Sequence, residues 1–380
     1  MANSYLTVSQ IAAESLTVLE DSLVAGNLLY RDKTSDFGLA KNGYKVGDTV
    51  RVRQGTEFAV NDFTSTITKQ DIRQSERNMT IERHMDVSVG IGAREMSLDL
   101  DHFSTEVIVP AMVSIAEEID TFLLTKIVQA TSLYASADLF ASVGDMANAN
   151  RVANEAQIPK AGRIGLVNSS LEAKLLGSDF FHSADIRDGE SLQALRDARM
   201  GRVMGTDWVA SVNMPVAGHT NSSGTTTTDN TVATDNLIGN STLVVDSIVG
   251  GFTAGDRIRI AGVRRPLIVE TTVAATGLAI VLTDPITEII PDGAAVTVEG
   301  GNASVLDFQG IITNPNAFAF ATPPLELPAS VEASVQNANG FSIRVVRDYD
   351  VDTKSTTLSF DLLLGALAYD PRLAVLLADF

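Results

Sequence analysis

Hydrophobic positions near the N-terminus recur with the spacing of one helical face. Thr7-Val-Ser-Gln10 has the form of a capping box, and an apolar stripe follows it as far as Gly26. The stripe consists of Val8, Ala12, Leu16, Leu19 and Leu23. This pattern predicts a short amphipathic helix that buries one face.

The spacing of apolar positions then changes to every second residue, which is typical of strands. A first run alternates apolar with basic side chains over Val50, Arg51, Val52 and Arg53. A second run has apolar side chains at Met79, Ile81, Met85, Val87, Val89 and Ile91. Residues 54–78 are too many for a tight turn. We therefore predict a long two-stranded ribbon whose tip projects from the body.

A second helical stripe covers Ile108–Tyr134. Its apolar positions are Ile108, Met112, Ile115, Ile119, Phe122, Leu123, Ile127, Ala130, Leu133 and Tyr134. The other face carries Glu117, Glu118, Asp120 and Gln129, which we expect in solvent. A helix over this stretch would be about 40 Å long at the usual rise per residue, so it reads as the spine of a domain.

Residues 145–214 mix short patterns of both kinds and predict a compact α+β region. Strands are expected at Ile164–Val167 and around Trp208, and helices at Ser170–Leu176 and Ser191–Met200. The composition then changes at Gly218–Asp229, a low-complexity stretch that we interpret as a linker or flexible loop.

Closely spaced short strands follow this stretch and predict a small all-β sandwich or barrel. They are Thr242–Val245, Arg257–Ala261, Leu267–Thr272, Leu278–Leu282 and Ala295–Val298. Ala317–Pro328 and Gly340–Leu364 are again rich in strand patterns, and Leu362–Leu377 is strongly apolar. The outer segments are thus expected to form one body of the α+β class, with an inserted β module.

Composition narrows the possible functions. The chain has 380 residues and a formal charge of −19, which argues against sequence-independent binding of nucleic acid because that task needs a basic face. It has no cysteine, so disulfides, thiolate metal sites and cysteine nucleophiles are excluded and a reducing compartment fits. The N-terminus shows no signal-peptide pattern, and Asp284, Asp361 and Asp370 interrupt the most apolar stretches. We expect a soluble protein that is not exported.

No residue set for catalysis stands out. His84, His102, His182 and His219 are scattered and form no metal motif. Asp348, Asp350 and Asp352 lack the glycine and glutamate of a calcium loop and fit a hairpin turn better. Gly90-Ile-Gly92 fits a bulge in a strand better than a dinucleotide loop. No phosphate-binding loop or nucleophile elbow occurs. We expect neither an enzyme nor a cofactor or metal.

The ribbon carries the one distinctive charge pattern. Residues 48–83 hold six acidic and six basic side chains although the whole chain is acidic. These charges either pair across the strands of a solvated hairpin or pair with neighbouring subunits, where complementary charge fixes register. The candidate inter-subunit contacts are Arg51, Arg53, Glu57, Asp62, Lys69, Asp71, Arg73, Glu76 and Arg77.

This order of elements resembles the major capsid protein of tailed bacteriophages. The insert that begins near Val216, with Ala254–Gly262 near its middle, is similar to the inserted β-barrel of coat proteins from short-tailed phages. Phe318–Pro324 and Leu364–Val375 are similar to the closing segment of such coats.

The resemblance implies a fold with an N-terminal arm, an extended loop, a spine helix, and peripheral and axial domains. The implied segments are an arm (1–44), an extended β-hairpin loop (45–92), the spine helix and peripheral domain (93–144), an axial domain (145–215), an inserted β-barrel domain (216–305), and a return to the peripheral and axial domains (306–380). Some related coats cross-link a lysine to an asparagine. Lys69 would be the donor, but no motif marks an acceptor.

The implied function is self-assembly into an icosahedral shell that encloses the phage genome without specific DNA binding. The expected partners are other copies in hexamers and pentamers, a scaffolding protein and a portal protein, and no membrane. The expected location is the virion capsid, after assembly in the host cytoplasm. Two alternatives remain, a phage tail or fibre protein and a carbohydrate-binding adhesin suggested by the threonine-rich insert.

Overall fold

The contacts within the computed structural model divide the chain into two compact units. The first comprises Met1–Leu123 and Phe318–Tyr369, and the second comprises Leu124–Ala317 and Asp370–Phe380. The structure describes residues 7–30, 44–53, 76–91, 104–136, 143–177, 200–214, 219–229, 236, 238–246, 248–288, 290–299, 305–350 and 355–379. The predicted domain boundaries, such as 216–305 for the insert, stay predictions.

The first unit contains a six-stranded antiparallel sheet. With strands numbered along the chain, its members are β1 (Thr49–Arg53), β2 (Glu76–Ile91), β15 (Phe318–Ala321), β16 (Glu332–Ala338), β17 (Phe341–Asp350) and β18 (Ser355–Ala368). Their order is β1-β2-β18-β17-β16, and β15 pairs with the end of β18. The side chains of β18 are buried almost continuously from Leu358 to Leu364, so both faces of the sheet are covered at this strand.

Helix α1 (Val8–Ser22) lies against β16 and β17 of this sheet. Its buried stripe includes Ile11, Leu16 and Leu19, and the backbone N–H of Thr7 donates to Gln10 Oε1 at 3.2 Å. The predicted capped amphipathic helix is therefore confirmed, with its end at Ser22 rather than near Gly26. A short helix α2 (Ala25–Leu28) follows.

The long central helix α3 spans Val109–Ala130 and is preceded by a π-helical turn, Ser104–Ile108. The predicted helix over Ile108–Tyr134 is confirmed for most of its length, but its last turn is wrong. Tyr134 starts a strand instead, because it pairs with a strand from the C-terminal end of the chain.

The second unit contains a seven-stranded mixed sheet. Its members are β3 (Tyr134–Ser136), β4 (Ile164–Val167), β5 (Gly201–Val203), β6 (Thr206–Ala210), β7 (His219–Thr220), β14 (Val305–Thr313) and β19 (Ala374–Asp379). The order is β3-β19-β14-β4-β6-β5, and β7 pairs with β14. Helices α4 (Val143–Glu155) and α5 (Ser169–Leu176) supply further side chains to its core.

The predicted elements of this α+β region are largely confirmed. β4 and β6 lie where Ile164–Val167 and Trp208 predicted strands, and they pair in parallel. Gly165 leaves room for Trp208, since a Cβ atom on it would lie 2.5 Å from the indole ring. The expected helix at Ser191–Met200 lies outside the described residues apart from Met200.

Residues 219–299 of the second unit form a separate cluster of short strands, which we call the insert. Besides β7 they include β8 (Thr225–Thr227), β9 (Thr242–Val244), β10 (Arg257–Ile260), β11 (Leu267–Ile268), β12 (Ala279–Val281) and β13 (Ala295–Val298). One sheet has the order β11-β10-β13-β8 and the other pairs β12 with β9. Bridges Thr228↔Val245 and Val269↔Leu282 join the two sheets, so the strands follow one another round a ring.

The ring encloses its own apolar core, and its two ends are tied together. Phe252, Leu243, Ile258, Ile280 and Val296 are all buried in this core. The chain enters the insert at β7 and leaves it at β14, and these two strands pair with each other, His219 with Leu306 and Thr220 with Val305.

Two predictions about segments need correction, one about a linker and one about the ribbon. Gly218–Asp229 is not only a linker, since it contains β7 and β8, and threonine suits strands because its β-branched side chain packs well on a pleated surface. The ribbon is confirmed where β1 pairs with β2, but β2 also pairs with β18, so it is part of a sheet rather than of a free two-stranded ribbon. The ribbon tip lies outside the described residues.

The bulge is also elsewhere than predicted. Gly90 pairs regularly with Thr357, whereas the register shifts between Leu364 and Gly365. A Cβ atom on Gly365 would lie 2.6 Å from the Thr80 carbonyl oxygen, so glycine permits this close approach.

Candidate assembly surface

The base of the ribbon has one inward and one outward face. Paired residues point to the same side, and Val52 and Met79 are buried on the face that also carries Arg77, whose Nη1 donates to the Ala368 carbonyl at 3.2 Å. Arg51 lies on the opposite face and is exposed. Arg77 therefore points towards the body of the first unit, whereas Arg51 faces outward.

The other predicted contact residues can be placed only in part. The backbones of Arg53 and Glu76 face each other in the β1–β2 register, as cross-strand partners of opposite charge. The remaining members lie outside the described residues, namely Glu57, Asp62, Lys69, Asp71 and Arg73. Their role as inter-subunit contacts stays a prediction.

A hydrogen-bonded turn fixes the start of the ribbon. Asp48 Oδ2 accepts from the Lys45 backbone N–H at 3.0 Å, and the backbone N–H groups of Gly47 and Ile81 donate to the Ile81 and Asp48 carbonyls at 2.9 and 3.0 Å. Gly47 has φ +97°, which a glycine adopts without strain. The exposed Val46 projects from this turn. These hydrogen bonds hold the residues just before β1 in a fixed position beside Ile81 of β2.

Further along β2, charged side chains are paired within the first unit. Arg83 forms an ion pair with Glu118 of α3, and its guanidinium lies 5.0 Å from the centre of the Phe122 ring. His84 Nε2 lies 3.5 Å from Asp361 Oδ1. Arg344 Nε and Nη2 donate to Asp361 Oδ2 at 2.9 and 2.6 Å. These contacts satisfy the buried carboxylate of Asp361.

Asp86 belongs to the same group of side chains. Burial alone would raise its pKa, but hydrogen bonds donated by Ser359 and Ser88, together with the nearby His84, lower the pKa below the ordinary value. Ser359 Oγ donates to Asp86 Oδ1 at 2.6 Å. This part of β2 is therefore a polar seam with β18.

Asp120 is a residue whose role sequence reasoning assigned wrongly. It was expected on the solvated face of the long helix, but it is 1% exposed. Its Oδ2 accepts from the Val24 backbone N–H at 2.8 Å and its Oδ1 from that of Gly26 at 3.0 Å. Burial raises its pKa although these bonds favour the charged form. Helical spacing could not find this role because the donors lie nearly a hundred residues away.

Arg257 is a second buried ionic residue, and no pattern in the sequence marks it. Its Nε and Nη2 donate to the Thr131 carbonyl at 3.1 and 3.0 Å, and Nη2 donates to the Val128 carbonyl at 2.8 Å. These carbonyls lie at the C-terminal end of α3, where a positive charge is favourable. Burial lowers the pKa of Arg257 to about 10. Within the second unit, the insert is thereby attached to the end of α3.

The described residues show no arrangement for metal chemistry. Among them, no group of three or more His, Asp or Glu side chains could hold a metal ion. Asp348 and Asp350 lie in β17, which pairs with β18 across residues 351–354, and this confirms the predicted hairpin. Among all the residues that the structure describes, no helix is both long enough and apolar enough to cross a bilayer.

Comparisons with known proteins identify the fold through structure alone. No family model and no curated protein matches the chain. A solved structure from Mycobacterium phage Che8 matches 93% of this chain and 90% of its own, with a TM-score of 0.50 and 13% identity.

Two further matches are to named capsids. The mature capsid of bacteriophage PhiM1 matches at a TM-score of 0.46 and 12% identity, over 89% of this chain and 85% of that one. The capsid of Cyanophage P-SCSP1u matches at 0.45 and 14%, over 89% and 84%. At such identities a likeness shows the fold and no more. The chain has the α+β fold of tailed-phage major capsid proteins.

Proposed function

We propose that this chain is a major capsid protein that assembles with copies of itself into an icosahedral shell around a phage genome. The observation that carries the proposal is the fold, which extends over 93% of the chain in the match to the Mycobacterium phage Che8 structure. A local motif or a single shared domain would not produce a match of that extent. The same observation favours a coat over a tail protein or an adhesin.

The charge of the chain suits a container. A shell wall built from copies that each carry −19 repels DNA, so the genome would be enclosed rather than gripped. Closed symmetric assembly multiplies several modest contacts into a stable whole. The exposed Arg51 face of the ribbon base and the charged residues beyond it would supply such contacts.

The finer parts of the proposal concern partners and place. The copies would form hexamers and pentamers, with a scaffolding protein guiding assembly and a portal protein at one vertex. Assembly would take place in the host cytoplasm. The insert would be a β-barrel domain on the outer face of the shell.

The first experiment expresses the full chain and examines the excluded fraction of a sizing column by negative-stain electron microscopy. Closed shells or polyheads are expected. Narrow tubes of tail-like diameter would replace the proposal with a tail protein. A monomer that binds glycans through the insert would replace it with an adhesin.

The ribbon is tested by deleting residues 56–76 or by Arg73→Glu. Each variant should give a folded subunit that does not assemble, because the charges that set register between copies are removed or reversed. Circular dichroism checks the fold, and electron microscopy checks the assembly. Normal shells from both variants would contradict the role assigned to the ribbon.

A further inference from the structure

A cleft in the second unit gathers basic side chains in an otherwise acidic chain. It has a volume of about 400 Å³, and its wall includes Arg151, Arg259, Arg264 and Arg265. We call it the arginine cleft. The acidic side chains that line it are Glu155 and Glu299. The cleft therefore carries an excess of positive charge, whereas the whole chain carries −19.

Three parts of the second unit contribute these arginines. Arg151 lies on α4 and Arg259 on β10. Arg264 and Arg265 lie in the turn between β10 and β11, just before Pro266. Since they come from separate parts of the chain, their convergence is a product of the fold.

Two of the arginines have carboxylate partners and two do not. Arg151 Nη1 lies 2.5 Å from Glu155 Oε1, and Arg259 Nε lies 2.6 Å from Glu299 Oε2. Arg264 and Arg265 form no ion pair with a carboxylate among the described residues. Arg264 is exposed and its guanidinium can reach a ligand, while Glu288 and Asp370 lie near enough to Arg265 to act on its charge.

Arg265 shows the strongest sign of an incomplete site. Its Nη2 donates to the Ala156 carbonyl at 3.1 Å, but its Nη1 is buried and has no hydrogen-bond partner within the described part of the chain. Burial and the nearby Arg372 and Arg264 lower its pKa, although Asp370 and Glu288 favour the charged form. Buried donors are normally paired, so an acceptor is missing from this position.

We propose that the arginine cleft binds acidic side chains of a second copy of this chain. The guanidinium group matches a carboxylate in a planar, two-bond geometry. Copies that each carry −19 repel one another, so a contact between them needs a local surface of opposite charge. The volume lies near the lower end for ligand sites and admits one or two side chains. The choice of a second copy rests on the proposed self-assembly.

The assembly test uses the full chain with Arg151→Glu and Arg264→Glu together. Both residues lie at the surface of the cleft, so the fold is expected to persist. Sedimentation velocity should show that assembly requires at least about tenfold more protein than for wild type. The matched control is Arg202→Glu, whose side chain is 55% exposed on β5 outside the cleft, and it should assemble as wild type does. Arg151→Lys with Arg264→Lys should retain most of the assembly.

A binding test separates the cleft from the proposed function. Fluorescence anisotropy follows a labelled hexaglutamate peptide on unassembled subunits, with inorganic phosphate and a short DNA duplex as competitors. The peptide should bind wild type and the Arg202→Glu variant, and at least about tenfold more weakly the double glutamate variant. Neither competitor should displace it at equal concentration.

Three results of the binding test would overturn the inference. They are equal peptide binding by wild type and the double glutamate variant, displacement by phosphate, which would make this a small-ion site, and displacement by the duplex, which would make nucleic acid the occupant. Unchanged assembly of the double variant would also overturn it. If neither wild type nor Arg202→Glu forms shells without a scaffolding protein, the peptide alone decides whether the cleft binds carboxylates.

Discussion

The sheet of the first unit and the ring of the insert hold their strands together in different ways. β2 and β18 have 16 and 14 residues, and they meet although Ile81 and Gly365 are far apart in the chain. The insert uses strands of two to four residues, and β13, near its C-terminal end, pairs with β8, near its N-terminal end. The sheet therefore relies on the length of its ladders, whereas the insert needs further contacts to hold short ladders together.

In the insert, buried polar side chains help to hold the short strands together. Asp256 accepts from the Thr253 backbone N–H at 2.7 Å and from Ser222 Oγ at 2.5 Å, joining two turns. Asn236 accepts from the Val244 backbone N–H at 2.6 Å and donates to the Asp229 carbonyl at 3.1 Å. These anchors fix the turns and loops of the insert, whereas the long ladder between β2 and β18 supplies many backbone hydrogen bonds by itself.

The largest expected effects come from one core phenylalanine in each region. Phe341 packs on Phe320 with ring centres 5.6 Å apart, and Phe252 lies in the core of the insert. Replacing either by alanine should lower the free energy of unfolding by about 4 kcal/mol. Hydrogen exchange should show that Phe252→Ala loses protection in the insert while β2 and β18 keep theirs. Phe341→Ala should show the reverse. Loss of protection in the same strands for both variants would mean that the regions are one cooperative unit.

A smaller effect tests the close approach in the sheet. Gly365→Ala places a Cβ atom 2.6 Å from the Thr80 carbonyl oxygen and should cost about 3 kcal/mol. Gly293→Ala in the insert is the control, because Gly293 has φ +66° and nothing within 4 Å of the added atom. It should cost only about 1 kcal/mol of backbone strain. Urea unfolding measures both, and equal losses would show that the ladder tolerates a shift at Gly365.

Two ion pairs sharpen the comparison further. Glu299 has a side chain 9% exposed and accepts from Tyr134 Oη at 2.8 Å and Arg259 Nε at 2.6 Å, so Glu299→Ala should cost about 2 kcal/mol. Glu118 is 52% exposed and pairs with Arg83, so Glu118→Ala should cost about 0.5 kcal/mol at most. The measurement is the urea midpoint with and without added salt. A larger loss of stability for Glu118→Ala would mean that the ion pair between α3 and Arg83 of β2 contributes more than its exposure indicates.

The smallest effect is a pH dependence of the first unit. Burial raises the pKa of Asp120, so the folded state favours its protonated form, and its contribution to stability falls as pH rises from 3.8 through the higher folded pKa. The stability of wild type relative to Asp120→Asn should therefore decrease over this window. Asp86, whose folded pKa is lowered, gives the opposite control, since wild type relative to Asp86→Asn should gain stability as pH rises. Urea midpoints from about pH 2.5 to about pH 7 cover both windows, since the change for Asp86 lies below and near pH 3.8 and that for Asp120 lies above it. The same sign for both pairs would contradict the contacts described for one of them.

Much of the local structure could be predicted because it depends on periodicity. The capping box at Thr7 marks the first helix, the stripe from Ile108 marks most of α3, and the alternation of Arg257–Ile260 marks a strand. In each case the residues that determine the element are adjacent or one turn apart. The candidate assembly surface was predicted only as a charge pattern, and most of its residues lie beyond what the structure describes.

The sequence by itself determined which segments become helices and strands, which faces are apolar, and that the chain is acidic and free of cysteine. Only the tertiary structure decided the partners, namely β18 beside β2, the buried Asp120 at the start of α2, and the arginines that converge on one cleft. The physical reason is that periodicity reports whether a side chain is buried but not against what. A charged residue that accepts backbone N–H groups from a distant segment has the same sequence context as one in solvent.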